Sequence, residues 1–135
     1  MKFVIQRVTN AKCEVEGNIT GQIDLGFCVL IGVAENDTES IADKMLRKLL
    51  GMRIFADADG KTNLALKDVN GSLLLISQFT LYANCRKGNR PYEYIIEECR
   101  KQILNVQTGI FGADMKISLT NDGPFTIILD SDDLA

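Results

Sequence analysis

MKISLTNDGPFTIIL, residues 115–129, would read as one long strand but for the Gly123-Pro124 pair at its centre. Proline removes a ladder donor and glycine costs backbone entropy, so both resist the interior of a sheet. Read locally, TNDGP is a turn; MKISL and FTIIL flank it and pair or lie adjacent. The chain has two prolines, which makes the placing of one here, behind a glycine, informative. A cis bond occurs at roughly 5% of X-Pro peptides, so composition alone favours trans. A cis bond would re-aim the carbonyls of Gly123 and its neighbours and create acceptors that no side chain supplies.

The rest of the chain supplies partners for this run. FVIQRV and AKCEVEG are extended, with Ala11, Cys13 and Val15 on one side. Gly17-Asn18 marks a turn into ITGQIDLG, and FCVLIGVA (27–34) suits a strand buried on both faces. ENDTESIADKMLRKLLG changes period: Asp37 or Thr38 caps a helix whose stripe is Ile41, Met45, Leu46 and Leu49, and Gly51 ends it. MRIFAD is a short strand, DADGKTN a turn, and SLLLISQFTLYA (72–83) the longest strand candidate before the final run. Tyr92 to Val106 is a second amphipathic helix, with Ile95, Ile96, Cys99 and Ile103 facing inward. These elements predict one α+β domain over residues 1–135, a mostly antiparallel, barrel-like sheet carrying two amphipathic helices.

Composition narrows the chemistry. At 135 residues, 46% hydrophobic and 24% charged, the chain fits one globular domain with a real core. No apolar run approaches the ~20 residues that span a bilayer, and Gln6 and Arg7 fall where a signal peptide needs its apolar region. The expected place is the cytoplasm, with no membrane partner. Cys13, Cys28, Cys85 and Cys99 show no CxxC spacing, so neither disulfides nor a zinc site is expected, and no cofactor is implied. The chain has no histidine. Ser-His-Asp and Cys-His catalysis are excluded, and with them the commonest general base near neutral pH. The net charge of −3 argues against a generic nucleic-acid binder, yet Arg86, Lys87 and Arg90 crowd into RKGNR while the tail DSDDLA is acidic. RKGNR is either a solvated loop or a local phosphate-binding patch.

SQFTL (77–81) follows four apolar residues, Leu73 to Ile76, so polar groups arrive abruptly at the end of a buried strand. By strand period Ser77, Phe79 and Leu81 point one way, Gln78 and Thr80 the other. The plain reading is a strand leaving the core with its hydroxyls bonded to backbone. The alternative is a site at the strand end.

SQFTLYANCRKGNRP, TGIFGADMKISLTNDGPFT and the opening MKFVIQRV together resemble the D-aminoacyl-tRNA deacylases, and NDTESIADK and GKTNLALKDVNGSLLLISQFTL extend the likeness along nearly the whole chain. Each motif alone is moderately specific; SQFTL, RKGNRP and NDGP in this order and at these distances are highly specific. The resemblance implies a homodimer acting on the 3′ end of D-aminoacyl-tRNA. In it Ser77, Gln78, Phe79 and Thr80 build the pocket with Gly123 and Pro124, whose cis bond reaches into the partner subunit's site. Backbone carbonyls there exclude an L side chain by clash, whereas D-aminoacyl and glycyl groups are accepted. Arg7 is expected beside the Gly-Pro loop, Met115 and Phe79 as apolar walls, and Asn121 as the residue fixing the turn by an Asx-type bond. Arg86, Lys87 and Arg90 become tRNA phosphate contacts. A chain without histidine suits a reaction in which the terminal ribose 2′-OH helps activate water and the protein supplies positioning and backbone donors. Thr80 as a nucleophile is the rival, but no base partner is visible and Lys87 is the nearest titratable candidate in sequence.

The sequence departs from the family in two places. A loop and helix start normally separate the RP of RKGNRP from the helix beginning here near Tyr92; this chain passes directly from Pro91 to YEYIIEECRK, a deletion or an omission. Phe125 stands where the family commonly has a smaller β-branched residue. Two other readings compete: a non-catalytic tRNA- or protein-binding dimer, against which the intact SQFT and Gly-Pro motifs argue, and a thiol enzyme using Cys85, which lacks a histidine partner.

Overall fold

Lys2–Val15 form one 14-residue strand (β1), and every other part of the main sheet is organised around it. A two-residue loop, Glu16-Gly17, turns the chain into β2 (Asn18–Ile23). Both loop residues have positive φ, +51° and +79°, as a hairpin matched to strand twist requires. The turn therefore falls one residue before the expected Gly17-Asn18. β3 (Gly26–Gly32) returns antiparallel along the first half of β1.

Thr38 caps α1 (Glu39–Gly51), its hydroxyl accepting from the Ile41 N–H. Met45, Leu46 and Leu49 are buried with Ile41 packed beside them, as the stripe predicted, and Ala42 and Leu50 are buried as well. Gly51 is the last helical residue and has no positive φ, so the expected glycine C-cap is absent; Met52 takes that position in extended backbone. A small hairpin, β4 (Phe55–Ala56) and β5 (Thr62–Leu64), and a 3₁₀ turn at Leu66–Val69 lead to β6 (Ser72–Ser77). α2 (Asn89–Arg100) then leads to β7 (Val106–Thr108). The structure, a computed structural model, describes residues 1–82 and 89–134.

The second helix thus starts and ends earlier than Tyr92 to Val106. Val106 belongs to a strand because the chain must re-enter the sheet beside Leu73, its ladder partner. β3, β6 and β7 are mutually parallel, each pair joined by a crossover carrying a helix, so the sheet is mixed. Its curl is barrel-like. At the far end β7 reaches β2, where the Thr20 hydroxyl lies 3.3 Å from the Thr108 carbonyl and a Cβ on Gly21 would come 2.7 Å from that oxygen.

β3 and β6 are buried on both faces. Phe27, Val29, Ile31, Leu73 and Leu75 meet the helices, while Cys28, Leu74 and Ile76 fill the barrel interior with Val8, Ala11, Cys13 and Ile23. The Tyr92 hydroxyl donates to the Leu75 carbonyl at 2.7 Å, tying α2 to β6.

Burial pushes the Cys28 and Cys99 thiols from an ordinary value near 9 up to about 12, and the Tyr92 hydroxyl from near 10 to about 12. These groups keep their protons in the fold at pH values where the unfolded chain releases them. Their contribution to stability is complete below about pH 9 and is lost as pH rises towards 12. The urea midpoint should accordingly hold up to pH 9 and fall by pH 11; a flat profile from pH 8 to 11 would contradict the burial argument.

The last run is where local reading fails. Lys116–Asp130 is a single 15-residue strand (β8), antiparallel to nearly all of β1, and not two strands flanking a turn. The ladder survives the Gly-Pro pair because it skips it. Gln6 pairs with Thr126 and Val8 with Asn121, so Arg7 alone stands opposite the four residues 122–125. Pro124 sits in that bulge, on a strand bonded only to β1 among the described residues, where no ladder donor is needed.

Candidate active site

β6 stops at Ser77. The Gln78 N–H makes one more bond to the Ile31 carbonyl (2.7 Å), and the chain then winds into a 3₁₀ turn over Phe79–Leu81. The strand alternation expected through SQFTL is therefore wrong beyond Ser77. β3, the neighbouring strand, ends at Gly32, and Leu81 and Tyr82 pack where a side chain on Gly32 would stand. Within the turn the Gln78 amide Nε2 donates to the Thr80 hydroxyl.

These residues open onto a cavity of about 240 Å³ lined by Ser77, Gln78, Phe79 and Thr80 and, opposite them, by Gly112 to Met115 and by Ile117. Met115 enters because Gly109 leaves space: its Sδ lies 2.4 Å from where a Cβ there would be. Phe79 is 41% exposed at the rim. Gly112, Ala113 and Asp114 were not expected in the lining; GIFGAD has no periodicity, and its nearness to Met115 was the only sign. Asp114 brings a carboxylate to the rim, but its side chain is 86% exposed and paired with Lys116 at 3.2 Å. Among the described residues the lining supplies amide, hydroxyl and thioether groups and no buried general base.

The second group of predicted residues forms a separate cluster on β8. Gly123 has φ +128°, and the Gly123-Pro124 bond is cis. Arg7, 13% exposed, binds the bulge: Nη2 and Nε donate to the Asp122 carbonyl at 2.8 and 3.1 Å, and Nη1 donates to the Ile54 carbonyl. The Asp122 carboxylate stands 3.8 Å from Nε. Asn121 closes the bulge from below. Its Oδ1 accepts from the Phe125 N–H at 2.9 Å, spanning the Gly-Pro pair, and its Nδ2 donates to Gln6 Oε1 and Thr126 Oγ1. The Ile54 carbonyl carries no side-chain signature and was invisible to sequence reading.

The two clusters do not meet within one chain. From Ile117, in the pocket wall, to Gly123 is six residues of extended strand, about 20 Å. Arg90 lies at the start of α2 and is exposed; Arg86, Lys87 and Cys85 lie outside the described residues.

The sequence profile of the family described as D-Tyr-tRNA(Tyr) deacylase matches residues 4–92 and 90–130. The chain belongs to that family. It is 48% identical to the D-aminoacyl-tRNA deacylase of Thermosipho melanesiensis over 146 aligned positions, covering 97% of each chain. The solved structure of a c-Myc DNA Unwinding Element Binding Protein superposes with a TM-score of 0.90 at 34% identity, over 96% of this chain and 98% of that one. A structure described as a probable eukaryotic D-amino acid tRNA deacylase superposes at 0.71 with 14% identity, over 95% and 97% of the chains, a likeness of fold alone.

Proposed function

We propose that the protein is a hydrolase that cleaves the ester of D-aminoacyl-tRNA in the cytoplasm, releasing free D-amino acid and tRNA, with glycyl-tRNA also accepted. The reaction rests on one observation, the match to curated D-aminoacyl-tRNA deacylases along nearly the whole chain. In the cleavage step, water adds to the ester carbonyl carbon, the bond to the ribose 3′ oxygen breaks, and that oxygen takes up a proton. With no buried base among the described lining residues, the ribose 2′-OH assists the attacking water. Ser77 and Gln78 orient the aminoacyl end. Thr80 accepts a hydrogen bond from Gln78, which leaves its own proton free to donate towards the substrate, a positioning role and not a nucleophilic one.

The Gly123-Pro124 bulge is the chiral filter, its carbonyls turned against an L side chain and tolerant of D. A filter about 20 Å along β8 from its own pocket acts on the pocket of a second copy, which makes the working unit a homodimer. The outer edge of β8, unpaired among the described residues, supports this, as does Ile128, 68% exposed on that strand. Arg90, with Arg86 and Lys87, contacts tRNA phosphates. The break in the profile match at 90–92, and an alignment longer than this chain, support the family's loop being missing beside Pro91.

Deacylation of matched D- and L-tyrosyl-tRNA tests the reading. Selective release from the D ester is expected, with Thr80→Ala slowed in single turnover and no acyl-enzyme accumulating in the parent. Absent hydrolysis of both esters would favour a binding dimer of the same fold, and equal hydrolysis of both would overturn the chiral filter. A trapped acyl-enzyme would make Thr80 the nucleophile.

A further inference from the structure

Phe125 directly follows the Gly-Pro pair, and the Arg7 guanidinium lies over its ring, 4.6 Å from Cζ to the ring centroid. From this contact we infer that Phe125 is a positioning residue that locks Arg7, and through it the Gly-Pro bulge, so setting how sharply L substrates are refused. The inference rests on the assignment of that bulge as the chiral filter.

The N–H donors of Arg7 all lie in the guanidinium plane. Nε and Nη2 converge on the Asp122 carbonyl and Nη1 reaches Ile54. In-plane bonds fix where the group points but leave it free to tilt out of plane. A ring packed against the cation restricts that tilt, shields the group from water and strengthens its charge-assisted bonds. Phe125 is itself anchored: its N–H donates to Asn121 Oδ1, and Asn121 is held by Gln6 and Thr126. The bulge is thus closed by a ring of contacts running Asn121, Phe125, Arg7, Asp122. The side chain of Phe125 belongs to the same bracket as its backbone.

Phe125→Val keeps a strand-compatible residue and the backbone bond to Asn121 while removing the ring. The ratio of kcat/KM on D-tyrosyl-tRNA to that on L-tyrosyl-tRNA should fall about fivefold, the size of a half-exposed cation–π contact, mainly through faster L hydrolysis. Phe125→Tyr should restore the ratio. In an Arg7→Ala background Phe125→Val should add nothing further, whereas a purely structural role would lower stability in both backgrounds alike. A selective parent with an equally selective F125V would overturn the lock alone. So would an effect of Phe125→Val undiminished when Arg7 is absent. A parent that does not distinguish D from L would overturn the filter assignment, and the lock with it.

Discussion

Gly123→Ala should lower hydrolysis of the D ester about a hundredfold and erode the preference for D over L. Gly123 lies at φ +128°, a region closed to most L residues, and holding alanine there costs on the order of 1–3 kcal/mol. The added Cβ would also stand 2.9 Å from Nη2 of Arg7. An arginine terminus usually yields to such an intrusion. This one is held by bonds to two carbonyls and by the Phe125 ring, so moving it releases the bracket. Either Arg7 leaves or the Gly-Pro peptide shifts, and a misplacement of about 1 Å at a positioning group costs about 10²-fold in rate. Matched D- and L-tyrosyl-tRNA kinetics read the effect. Pairing Gly123→Ala with Arg7→Ala separates its parts, since the double variant relieves the clash and leaves the backbone strain. A Gly123→Ala enzyme within threefold of the parent on both esters would show that the bulge does not touch the reacting end of the substrate.

The residues that deceive a sequence reading here are those whose partners are distant. Hydrophobic period placed α1, β3 and the interior of β6 correctly, because Met45, Val29 and Leu74 are buried by the elements they belong to. The same reasoning split β8 in two. Nothing local shows that β1 runs uninterrupted beside it and that Arg7 can stand opposite four residues. It also carried β6 through SQFTL, because the end of β3 at Gly32, and not the sequence of SQFTL, decides where the strand stops. β7 was missed since three residues, Val106 to Thr108, are too few to show a period. At the site, side-chain chemistry was legible: Ser77 to Thr80 and Met115 line one cavity, and Arg7 and Asn121 hold the Gly-Pro bulge. What escaped were groups without side-chain identity, the carbonyls of Ile54 and Asp122, and a ring contact across β1 and β8 that no spacing rule encodes.

Gly26→Ala should destabilise the protein by about 4 kcal/mol or more, placing it among the rare severe single substitutions. At φ +158°, Gly26 opens β3 opposite Ser72, and a Cβ there would stand 1.9 Å from the Ser72 carbonyl oxygen and 2.7 Å from its nitrogen. Both obstacles are backbone. Ser72 cannot step aside, because its N–H is bonded to the Leu25 carbonyl at 2.9 Å and Leu73 behind it is fully buried. Relief requires parting β3 from β6 where their parallel ladder begins, with Phe27 and Leu73 carried along on the helix-facing side. For a domain of this size, 4 kcal/mol corresponds to a fall in Tm of about 12–20 °C. Gly60→Ala is the control: its φ of +78° is also left-handed, yet nothing lies within 4 Å of the added carbon, so it should cost only about 1 kcal/mol. If the two variants melted within about 3 °C of each other, conformational strain alone would explain both. The β3–β6 ladder would then have slack at its origin, and Ser77 to Thr80, which that ladder delivers to the cavity, would owe their placement to the 3₁₀ turn and its packing on Gly32.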